Sequence, residues 1–455
     1  MRILESIVEV VGNTPLVRLS PRFSRGVRPE ILLKVESRNP GGSVKDRIGL
    51  RMIEAAEREG RLRRGGTILE STSGNTGVGL AMAAAAKGYR MIFTLPDKMS
   101  QEKVNLLKAY GAKVVVTPTA VPPDDPRHYT QVARRLEKEI PGSVWMNQYG
   151  NPENPRAHYE TTGPEIWEGC EGKLDVFVCG VGTGGTISGV GKFLKERRPE
   201  IQVVGVDPDG SIYAEYFRTG RIGDHRPYKV EGIGEDVLPA TMDFAVVDRV
   251  ITVSDRDALV LARRLVRSEG ILCGGSSGAA LAAALRVAED LDETKRIVVL
   301  LPDTGERYLS KLYNDAWMQE NQFLSRDEPL TALEVVTAKQ GPKALIAVGP
   351  ETSVHDAVGL MKRHEVSQIP VLEDGRVLGS LREEAAIELV VSRRDTTGTK
   401  VREVMGPPFP VAEIDAPAKE LSRLLRGGHP AILVRLADGE LTILTKFDLL
   451  QAIAP

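Results

Sequence analysis

The sequence predicts an α/β protein with a mostly parallel sheet, followed by a smaller C-terminal module. Short apolar runs alternate with amphipathic stretches from residue 32 onward, as strands and helices do in α/β layers. Glycine-rich loops stand at strand-to-helix junctions, where such proteins bind their ligands. The character of the chain changes after Asn321, and the remainder contains an internal repeat.

Length and composition narrow the function classes. A chain of 455 residues exceeds one ordinary core, so at least two domains are expected. The net charge is −2 and no basic stripe is present, so nucleic acid is not an expected partner. Three scattered cysteines, Cys170, Cys179 and Cys273, indicate a reducing compartment and argue against disulfides or a zinc site. No metal site is therefore expected.

The N-terminal residues and the apolar runs predict a cytoplasmic protein. Arg2, Glu5 and Glu9 fall within the first turns, which does not match a signal peptide. No apolar run is long enough to cross a bilayer, so no membrane partner is expected.

Seven apolar runs are predicted to be strands, at 31–36, 67–70, 91–95, 114–117, 176–179, 203–206 and 297–301. Amphipathic stretches between them are predicted helices, including 101–110, 130–139, 187–197 and 256–268. Strands that alternate with helices in this way form parallel sheets, because each crossover helix returns the chain to the same sheet edge.

The C-terminal part divides into a linker and two weakly similar repeats. A polar segment that ends in proline predicts a linker at 321–330, between domains at 1–320 and 331–455. The first repeat is predicted to contain a strand, a helix and a hairpin, at 344–348, 354–364 and 368–381, with a further helix after the hairpin. The second is predicted to contain a helix, a hairpin and a helix, at 416–425, 431–444 and 446–454. Asp-Gly pairs predict the turn of each hairpin. Neither repeat is large enough to bury much core alone.

The first loop whose residues could take part in catalysis is 39–47, Asn-Pro-Gly-Gly-Ser-Val-Lys-Asp-Arg. It precedes a helical pattern at 48–59. Its glycines allow unusual backbone angles, and Ser43 is a candidate N-cap beside exposed N–H groups. A lysine near the positive end of a helix can be partly neutral, and a neutral amine attacks carbonyl carbons. Lys45 is therefore a candidate Schiff-base residue. The structural alternative is a surface lysine beside a glycine-rich turn.

The second loop is 71–77, Ser-Thr-Ser-Gly-Asn-Thr-Gly, between a predicted strand and a helix at 78–87. Its hydroxyl and amide side chains, together with helix N–H groups and the helix dipole, suit a carboxylate. Asn75 could also donate to a phenolate oxygen. The structural alternative is a capped turn rich in serine and threonine.

The third loop is 180–186, Gly-Val-Gly-Thr-Gly-Gly-Thr, before a helix at 187. Glycine-rich loops at such junctions cradle phosphate with backbone N–H groups. The loop lacks a Walker lysine and the Gly-x-Gly-x-x-Gly spacing, so a single phosphate monoester fits better than a dinucleotide. Two more loops, 273–278 before a helix at 279–287 and 301–307, occupy similar junctions, although the former is equally well explained by helix packing.

Together the loops supply what pyridoxal phosphate chemistry requires: an amine, a phosphate cradle, a partner for the ring nitrogen and a carboxylate site. The sequence resembles the cysteine synthase/cystathionine β-synthase family of fold type II pyridoxal-phosphate enzymes over nearly the whole chain. The resemblance implies two three-layer αβα subdomains, pyridoxal 5′-phosphate as cofactor and a homodimer.

The resemblance also implies residue roles. Lys45 matches the Schiff-base and catalytic lysine, and Ser276 matches the serine that faces the pyridine nitrogen. The other implied cofactor-binding residues are Asn75, Gly182, Thr183, Gly184, Gly185 and Thr186. The implied contacts to the substrate carboxylate are Thr72, Ser73, Thr76 and Gln148.

Within the family, the resemblance favours a β-replacement that condenses L-serine with L-homocysteine to L-cystathionine, a transsulfuration step. Segments 98–104, 117–119 and 231–236 carry this preference. The alternatives are cysteine synthase, which uses O-acetylserine and sulfide, serine dehydratase, and a nucleotide-sensing scaffold without activity. Glu235 stands where several members have tyrosine, which bears on recognition of the second substrate. No N-terminal Cys/His pair is present, so haem is not expected.

The C-terminal repeat resembles tandem CBS domains, a Bateman module that commonly binds adenosyl ligands. Thr445 and Asp448 have the spacing used for a ribose, because residues three apart share one helix face. The structural alternative is a capping threonine with an aspartate in a favourable dipole position. The first repeat has Arg382 and Ala385 at the matching positions, so at most one such site is expected.

Overall fold

The computed structural model describes residues 3–24, 27–72, 74–97, 99, 101–122, 124–324, 331–339, 345–436 and 439–453. The chain forms two compact units, Met1–Ser325 and Arg326–Pro455. Within the described part, every helix is too short or too polar to span a bilayer.

The strands of the first unit form two sheets. In chain order these strands are β1 (Leu16–Arg18), β2 (Glu30–Val35), β3 (Thr67–Glu70), β4 (Arg90–Pro96), β5 (Lys113–Thr117), β6 (Ser143–Trp145), β7 (Val176–Gly180), β8 (Gln202–Pro208), β9 (Arg249–Val253) and β10 (Arg296–Leu301). The larger sheet has the order β1-β2-β10-β7-β8-β9, and only the β1–β2 pair is antiparallel. The smaller sheet has the order β5-β4-β3-β6 and is parallel. The predicted α/β class is therefore confirmed.

All seven predicted strands are present within one or two residues of their expected bounds, whereas β1, β6 and β9 were not predicted. These three strands lie at sheet edges. Two of them are only three residues long, and β9 alternates between exposed and buried side chains. The central strands β3 and β7 are almost wholly buried, which makes them continuous apolar runs that are easy to find in a sequence.

The helices of the first unit connect these strands. They are α1 (Lys45–Arg58), α2 (Asn75–Lys87), α3 (Gln101–Ala109), α4 (Tyr129–Glu139), α5 (Glu153–Ala157), α6 (Gly163–Gly169), α7 (Gly185–Arg197), α8 (Tyr213–Thr219), α9 (Asp255–Glu269), α10 (Gly275–Ala288) and α11 (Asp315–Glu320). Besides α1, which begins at Lys45 instead of 48, three helices begin two to four residues earlier than predicted, α2 at Asn75, α7 at Gly185 and α10 at Gly275. Glycine, serine and threonine are weak helix formers, so their presence in the first turn hid these starts. The last residues of each loop therefore lie in a helical first turn, where backbone N–H groups are unpaired.

The second unit contains two halves with similar element order. Its elements are α12 (Ala332–Ala338), α13 (Val354–Arg363), β11 (Gln368–Glu373), β12 (Arg376–Arg382), α14 (Glu383–Val391), β13 (Val411–Glu413), α15 (Ala418–Arg426), β14 (Ala431–Arg435), β15 (Leu441–Thr445) and α16 (Lys446–Ile453). The first hairpin turns at Asp374 and Gly375, whose φ angles of 49° and 76° are those of a type I′ turn. The second predicted turn, at 437–439, falls partly outside the described residues, between the antiparallel strands β14 and β15.

One predicted strand of the second unit, at 344–348, is wrong. Residues 345–347 are irregular, residue 344 lies outside the described part, and Val348 forms only a single bridge to Val371. Pro350 follows closely, and proline cannot donate the hydrogen bond that would extend such pairing. The equivalent segment of the second half forms the short strand β13.

The end of the first unit lies close to the predicted linker. Leu324 is buried, and Phe323 packs against Trp317 with ring centroids 5.9 Å apart. Residues 325–330 lie outside the described part. The linker at 321–330 and the domains at 1–320 and 331–455 stay predictions.

Candidate active site

The predicted loops of the first unit converge on one cavity of ≈ 390 Å³. It is lined by residues of every loop to which the sequence assigned a role, namely Lys45, Thr72, Asn75, Thr76, Gln148, Gly182, Thr183 and Ser276. Gly184 and Thr186 line a smaller neighbouring cavity that Lys45 also contacts. Gly185 begins α7, and Ser73 lies outside the described residues.

Lys45 is the first residue of α1 and lines both cavities. Burial lowers its pKa, although the nearby Cys179 and Asp303 act in the opposite direction. The Ser43 hydroxyl accepts a hydrogen bond of 3.2 Å from the Lys45 backbone N–H, although Val44 is the N-cap residue by position. A lowered pKa increases the fraction of neutral amine, which is the nucleophilic form.

The turn before Lys45 is shaped by Asp46. Its Oδ2 accepts the Gly41 N–H at 2.5 Å, and a Cβ at Gly41 would lie only 2.5 Å from its Oδ1. Gly42 has a φ of +80°, which glycine adopts without strain. Burial raises the pKa of Asp46 to about 7. The two glycines are therefore required by a close approach and by a left-handed backbone.

The predicted carboxylate contacts meet across the cavity. Thr76 Oγ1 donates to Gln148 Oε1 at 2.5 Å, which leaves the Gln148 amide nitrogen to donate to an anion. Glu70, at the end of β3, accepts the backbone N–H groups of Ser71 at 2.7 Å and Gln148 at 3.2 Å. Burial raises the pKa of Glu70 to about 7. Glu70, which the sequence analysis did not identify, thus joins the two segments.

Three glycines of the loop before α7, Gly182, Gly184 and Gly185, leave no room for a larger side chain. A Cβ at Gly182 would lie 2.7 Å from the Gly232 carbonyl oxygen, and a Cβ at Gly185 would collide with Asn154 Oδ1. Gly184 has a φ of +78°. The backbone therefore packs closely on neighbouring segments, and the loop leads into the N-terminus of α7, where it forms a cradle that suits phosphate.

Two side chains that sequence reasoning missed support this cradle. Asn154 Nδ2 donates to Thr183 Oγ1 at 3.0 Å, and His158 Nε2 lies 3.2 Å from Thr186 Oγ1. The other ring nitrogen of His158 lies 2.9 Å from Thr162 Oγ1, across a π-helical turn at His158–Thr162. Burial lowers the pKa of His158 well below its ordinary value, so its imidazole is neutral, with one donor and one acceptor nitrogen. No motif in the sequence marks either residue.

The fifth loop contacts Asn75. Asn75 Nδ2 donates to Asp303 Oδ2 at 2.7 Å, and the Asn75 carbonyl oxygen accepts from Arg307. The Tyr308 hydroxyl donates to the same Asp303 oxygen at 2.6 Å. Burial raises the pKa of Asp303. The sequence indicated the position of this loop but not its contact with Asn75.

Two carboxylates of segment 231–236 line the same cavity, Glu231 and Glu235. Glu231 forms ion pairs of 2.6 Å with both Lys103 and Lys311. Burial raises the pKa of Glu235 to about 7, and the side chain forms a hydrogen bond with Tyr149.

In the second unit, the two residues considered for a ribose contact each other. Asp448 Oδ2 accepts both the Thr445 hydroxyl and the Thr445 backbone N–H at 2.7 Å. This is the geometry of a helix start, and Asp448 is buried. The contact satisfies one carboxylate oxygen of Asp448. A role for the pair in ligand binding stays a prediction.

Comparisons with known proteins agree with this geometry. A family model described as "Pyridoxal-phosphate dependent enzyme" matches residues 7–303, and a model described as "CBS domain" matches residues 343–392. The first match covers more than half of the chain, so the protein is a pyridoxal-phosphate-dependent enzyme with a C-terminal CBS domain. Its cofactor is pyridoxal phosphate. The amine of Lys45, whose pKa is lowered by burial, fits the aldehyde of that group. The glycine cradle at the start of α7 fits its phosphate.

Individual relatives narrow the family. Cystathionine beta-synthase of Dictyostelium discoideum is 42% identical over 98% of this chain and 92% of that protein, and the enzyme of Mus musculus is 42% identical over 95% and 78%. Among solved structures, a hydrogen sulfide-producing enzyme from Fusobacterium nucleatum is 40% identical with a TM-score of 0.63, over 68% of this chain and 99% of that chain. An O-ureido-L-serine synthase is 39% identical with a TM-score of 0.63, over 70% and 99%. The chain belongs to the cystathionine β-synthase family.

Proposed function

We propose that the protein condenses L-serine with L-homocysteine to L-cystathionine. The Cβ–O bond of serine breaks, a C–S bond to the homocysteine sulfur forms, and one water molecule leaves. The observation that carries the proposal is the Thr76–Gln148 hydrogen bond, which leaves the Gln148 amide nitrogen to donate to an amino-acid carboxylate in the cavity that Lys45 lines. The names of the relatives support the same reaction.

Lys45 is the proposed catalytic residue. Its amine would hold the cofactor and, once released, would take the proton from the serine Cα. The cofactor, when bound, withdraws electrons from Cα. Burial lowers the pKa of Lys45 and so favours its neutral amine, which is the form that acts both as nucleophile and as base.

The other side chains hold and orient the serine and the cofactor. Proposed contacts to the serine carboxylate are Thr72, Ser73, Thr76 and Gln148, and proposed contacts to the cofactor are Asn75, Gly182, Thr183, Gly184, Gly185, Thr186 and Ser276. Ser276 would be a neutral partner for the ring nitrogen of the cofactor. A hydroxyl stabilises the protonated ring less than a carboxylate would, so the ring would stabilise negative charge at Cα less. We expect this to favour prompt loss of the serine hydroxyl over other reactions at Cα. Closure of the segment 72–76 on the substrate would exclude water.

A comparison of two substrate pairs tests the proposal. The specificity constants for serine with homocysteine and for O-acetylserine with sulfide are measured on the same holoenzyme. We expect the first pair to be used better. A large advantage of the second pair would make the protein a cysteine synthase with a regulatory module, and release of pyruvate from serine alone would make it a dehydratase.

We also propose that the second unit binds an adenosyl ligand at Thr445 and Asp448. The spacing of the pair supports this role, as does the match of residues 343–392 of the same unit to the CBS domain. Titration with S-adenosylmethionine, AMP and ATP by calorimetry tests it on the intact protein and on Asp448→Asn, which retains an acceptor for the Thr445 hydroxyl. Heat with none of the three ligands on the intact protein would indicate a structural role for the unit.

We further propose a homodimer in the cytoplasm. Ile7 and Val10 expose apolar side chains on the first helical turn, which a second copy would cover. Cys170, Cys179 and Cys273 are all free and buried, which is consistent with a reducing compartment. Sedimentation equilibrium tests the dimer, and fractionation of cells with an antibody tests the location.

A further inference from the structure

Glu235 differs from the other charged side chains that line the active-site cavity. The other two are Lys45 and Glu231. Lys45 is the proposed anchor of the cofactor, and Glu231 already forms ion pairs with Lys103 and Lys311. Among the ion pairs of the described residues, none includes Glu235, whose hydrogen-bond partner is the neutral Tyr149. The cavity therefore contains one carboxyl group without a cationic partner.

The backbone holds Glu235 firmly in this position. Its N–H donates to Ser211 Oγ at 3.0 Å, and its carbonyl oxygen accepts from the Ile212 N–H at 3.3 Å. The preceding residue, Gly234, has a φ of +78° and packs against Pro208 and Tyr228. The carboxyl group thus belongs to a well-packed wall of the cavity.

A carboxylate removed from water without a counter-charge costs free energy. Burial accordingly raises the pKa of Glu235 to about 7, while Asp236 adds to this rise and Lys45 opposes it. A ligand that brings a cation into the cavity would supply the missing counter-charge and would bind through a charge-assisted hydrogen bond.

We infer that Glu235 binds the α-ammonium group of the second substrate, a thiol-bearing amino acid. This inference rests on the proposed function. Under that function, the amine of serine is engaged with the cofactor, so homocysteine is the substrate that still carries a free ammonium group. Glu235 then acts as a specificity-determining residue, and the attacking thiol is selected as part of an amino acid.

The variant that tests this inference is Glu235→Gln, which preserves shape and an acceptor for the Tyr149 hydroxyl but removes the charge. Asp236→Asn is the matched control, because Asp236 is the neighbouring acid but is exposed and does not line the cavity. Both are made in the full-length holoenzyme.

Kinetics with two thiols separate ammonium recognition from other roles. The thiols are L-homocysteine and 4-mercaptobutanoate, which is homocysteine without its amine. In Glu235→Gln we expect kcat/KM for homocysteine to fall by about 10- to 100-fold, the usual worth of a hydrogen bond to a charged group. The constant for 4-mercaptobutanoate should stay unchanged. An equal loss for both thiols would overturn the inference, because it would indicate that Glu235 takes the thiol proton or supports the fold.

Binding gives a readout that does not depend on turnover. Calorimetry compares L-cystathionine with S-(3-carboxypropyl)-L-cysteine, which lacks the amine on the homocysteine side. The wild type and Asp236→Asn should prefer cystathionine, and Glu235→Gln should lose this preference. Exchange of the serine α-proton with solvent deuterium, followed without any thiol, should be the same in all three proteins.

The outcomes distinguish failure of the inference from failure of the proposed function. If the wild type binds cystathionine and Glu235→Gln keeps the full preference, the inference alone is overturned. If the wild type binds neither compound and uses O-acetylserine with sulfide, the proposed function is overturned and the inference falls with it.

Discussion

Asn75 Nδ2 donates a hydrogen bond of 2.7 Å to Asp303 Oδ2 and thereby joins the start of α2 to the segment after β10. The two residues are 228 positions apart in the chain. The same Asp303 oxygen accepts the Tyr308 hydroxyl, and Arg307 donates to the other end of the Asn75 amide. The orientation of the Asn75 amide is therefore set by residues of the fifth loop.

The first prediction concerns Asp303→Ala. The substitution leaves the Asn75 amide without its buried acceptor, at a cost of about 1–3 kcal/mol. We expect weaker binding of pyridoxal phosphate and a shifted visible absorbance maximum of the bound cofactor, both measured by titration. Tyr308→Phe is the control, because it leaves the contact between Asn75 and Asp303 intact. Equal cofactor affinity in the two variants would contradict a positioning role of Asp303.

The second prediction concerns Lys45→Ala. Turnover should be abolished, since the variant lacks both the anchor for the cofactor and the base. Circular dichroism should show a retained fold, and some cofactor should stay bound through the separate phosphate cradle. Lys173→Ala, at a side chain that is 75% exposed, is the control and should be fully active. Near-normal turnover of Lys45→Ala would exclude Lys45 as the catalytic residue.

The third prediction concerns Gly185→Ala in the phosphate cradle. The new Cβ would collide with Asn154, so the loop must shift and cofactor affinity should fall at least tenfold by fluorescence titration. Gly359→Ala, inside α13, meets no atom within 4 Å and should be neutral or stabilising by about 0.5–1 kcal/mol. Unchanged affinity in Gly185→Ala would indicate that the cradle does not bind the cofactor.

The fourth prediction concerns stability in acid. Burial alone would raise the pKa of Glu165, but Arg47 and Lys34, each with a 2.6 Å ion pair, lower it from 4.5 to about 2. A carboxyl group with a lowered pKa stabilises the fold above its ordinary pKa, and this contribution disappears as the pH falls towards the lowered value. Glu165→Gln should therefore unfold more easily than the wild type in urea at neutral pH.

The difference in unfolding free energy between Glu165→Gln and the wild type should shrink between pH 4.5 and about pH 2. Glu168→Gln, on the exposed side of the same helix, is the control and should show no such trend. A difference that stays constant over this range would mean that the ion pairs of Glu165 contribute no stability.

The fifth prediction concerns a chain that ends at Leu324. All five loops of the active site lie before this residue, and the first unit has its own cores. We expect the shortened protein to be folded and active, while any response to an adenosyl ligand is lost. A coupling of about 1–3 kcal/mol between the units would appear as a five- to 150-fold effect of the ligand in the full-length protein only. Loss of activity on truncation would show that the second unit is required by the core.

The sequence alone determined the α/β class, the central strands and the residues of the loops. The strand at 67–70 was predicted with the bounds that the structure shows, because a strand covered on both faces is a continuous apolar run. Three features of the site could be found because each consists of residues that are neighbours in the sequence. They are Lys45 with its flanking residues, the glycine loop at 180–186 and the loop at 71–77. Edge strands such as β1 could not be found, since their apolar signal is weak.

The tertiary structure decided which of these residues meet. The contact between Thr76 and Gln148 joins residues 72 positions apart, and that between Asn75 and Asp303 joins residues 228 apart. No local pattern encodes such pairs, because they depend on the order of strands in two sheets. For the same reason His158 could not be recognised beside Thr186, nor Glu235 as a carboxyl group without a cationic partner. The local periodicity of the sequence specifies the helices and strands. Which charged side chains face each other in a cavity depends on the long-range packing of those elements.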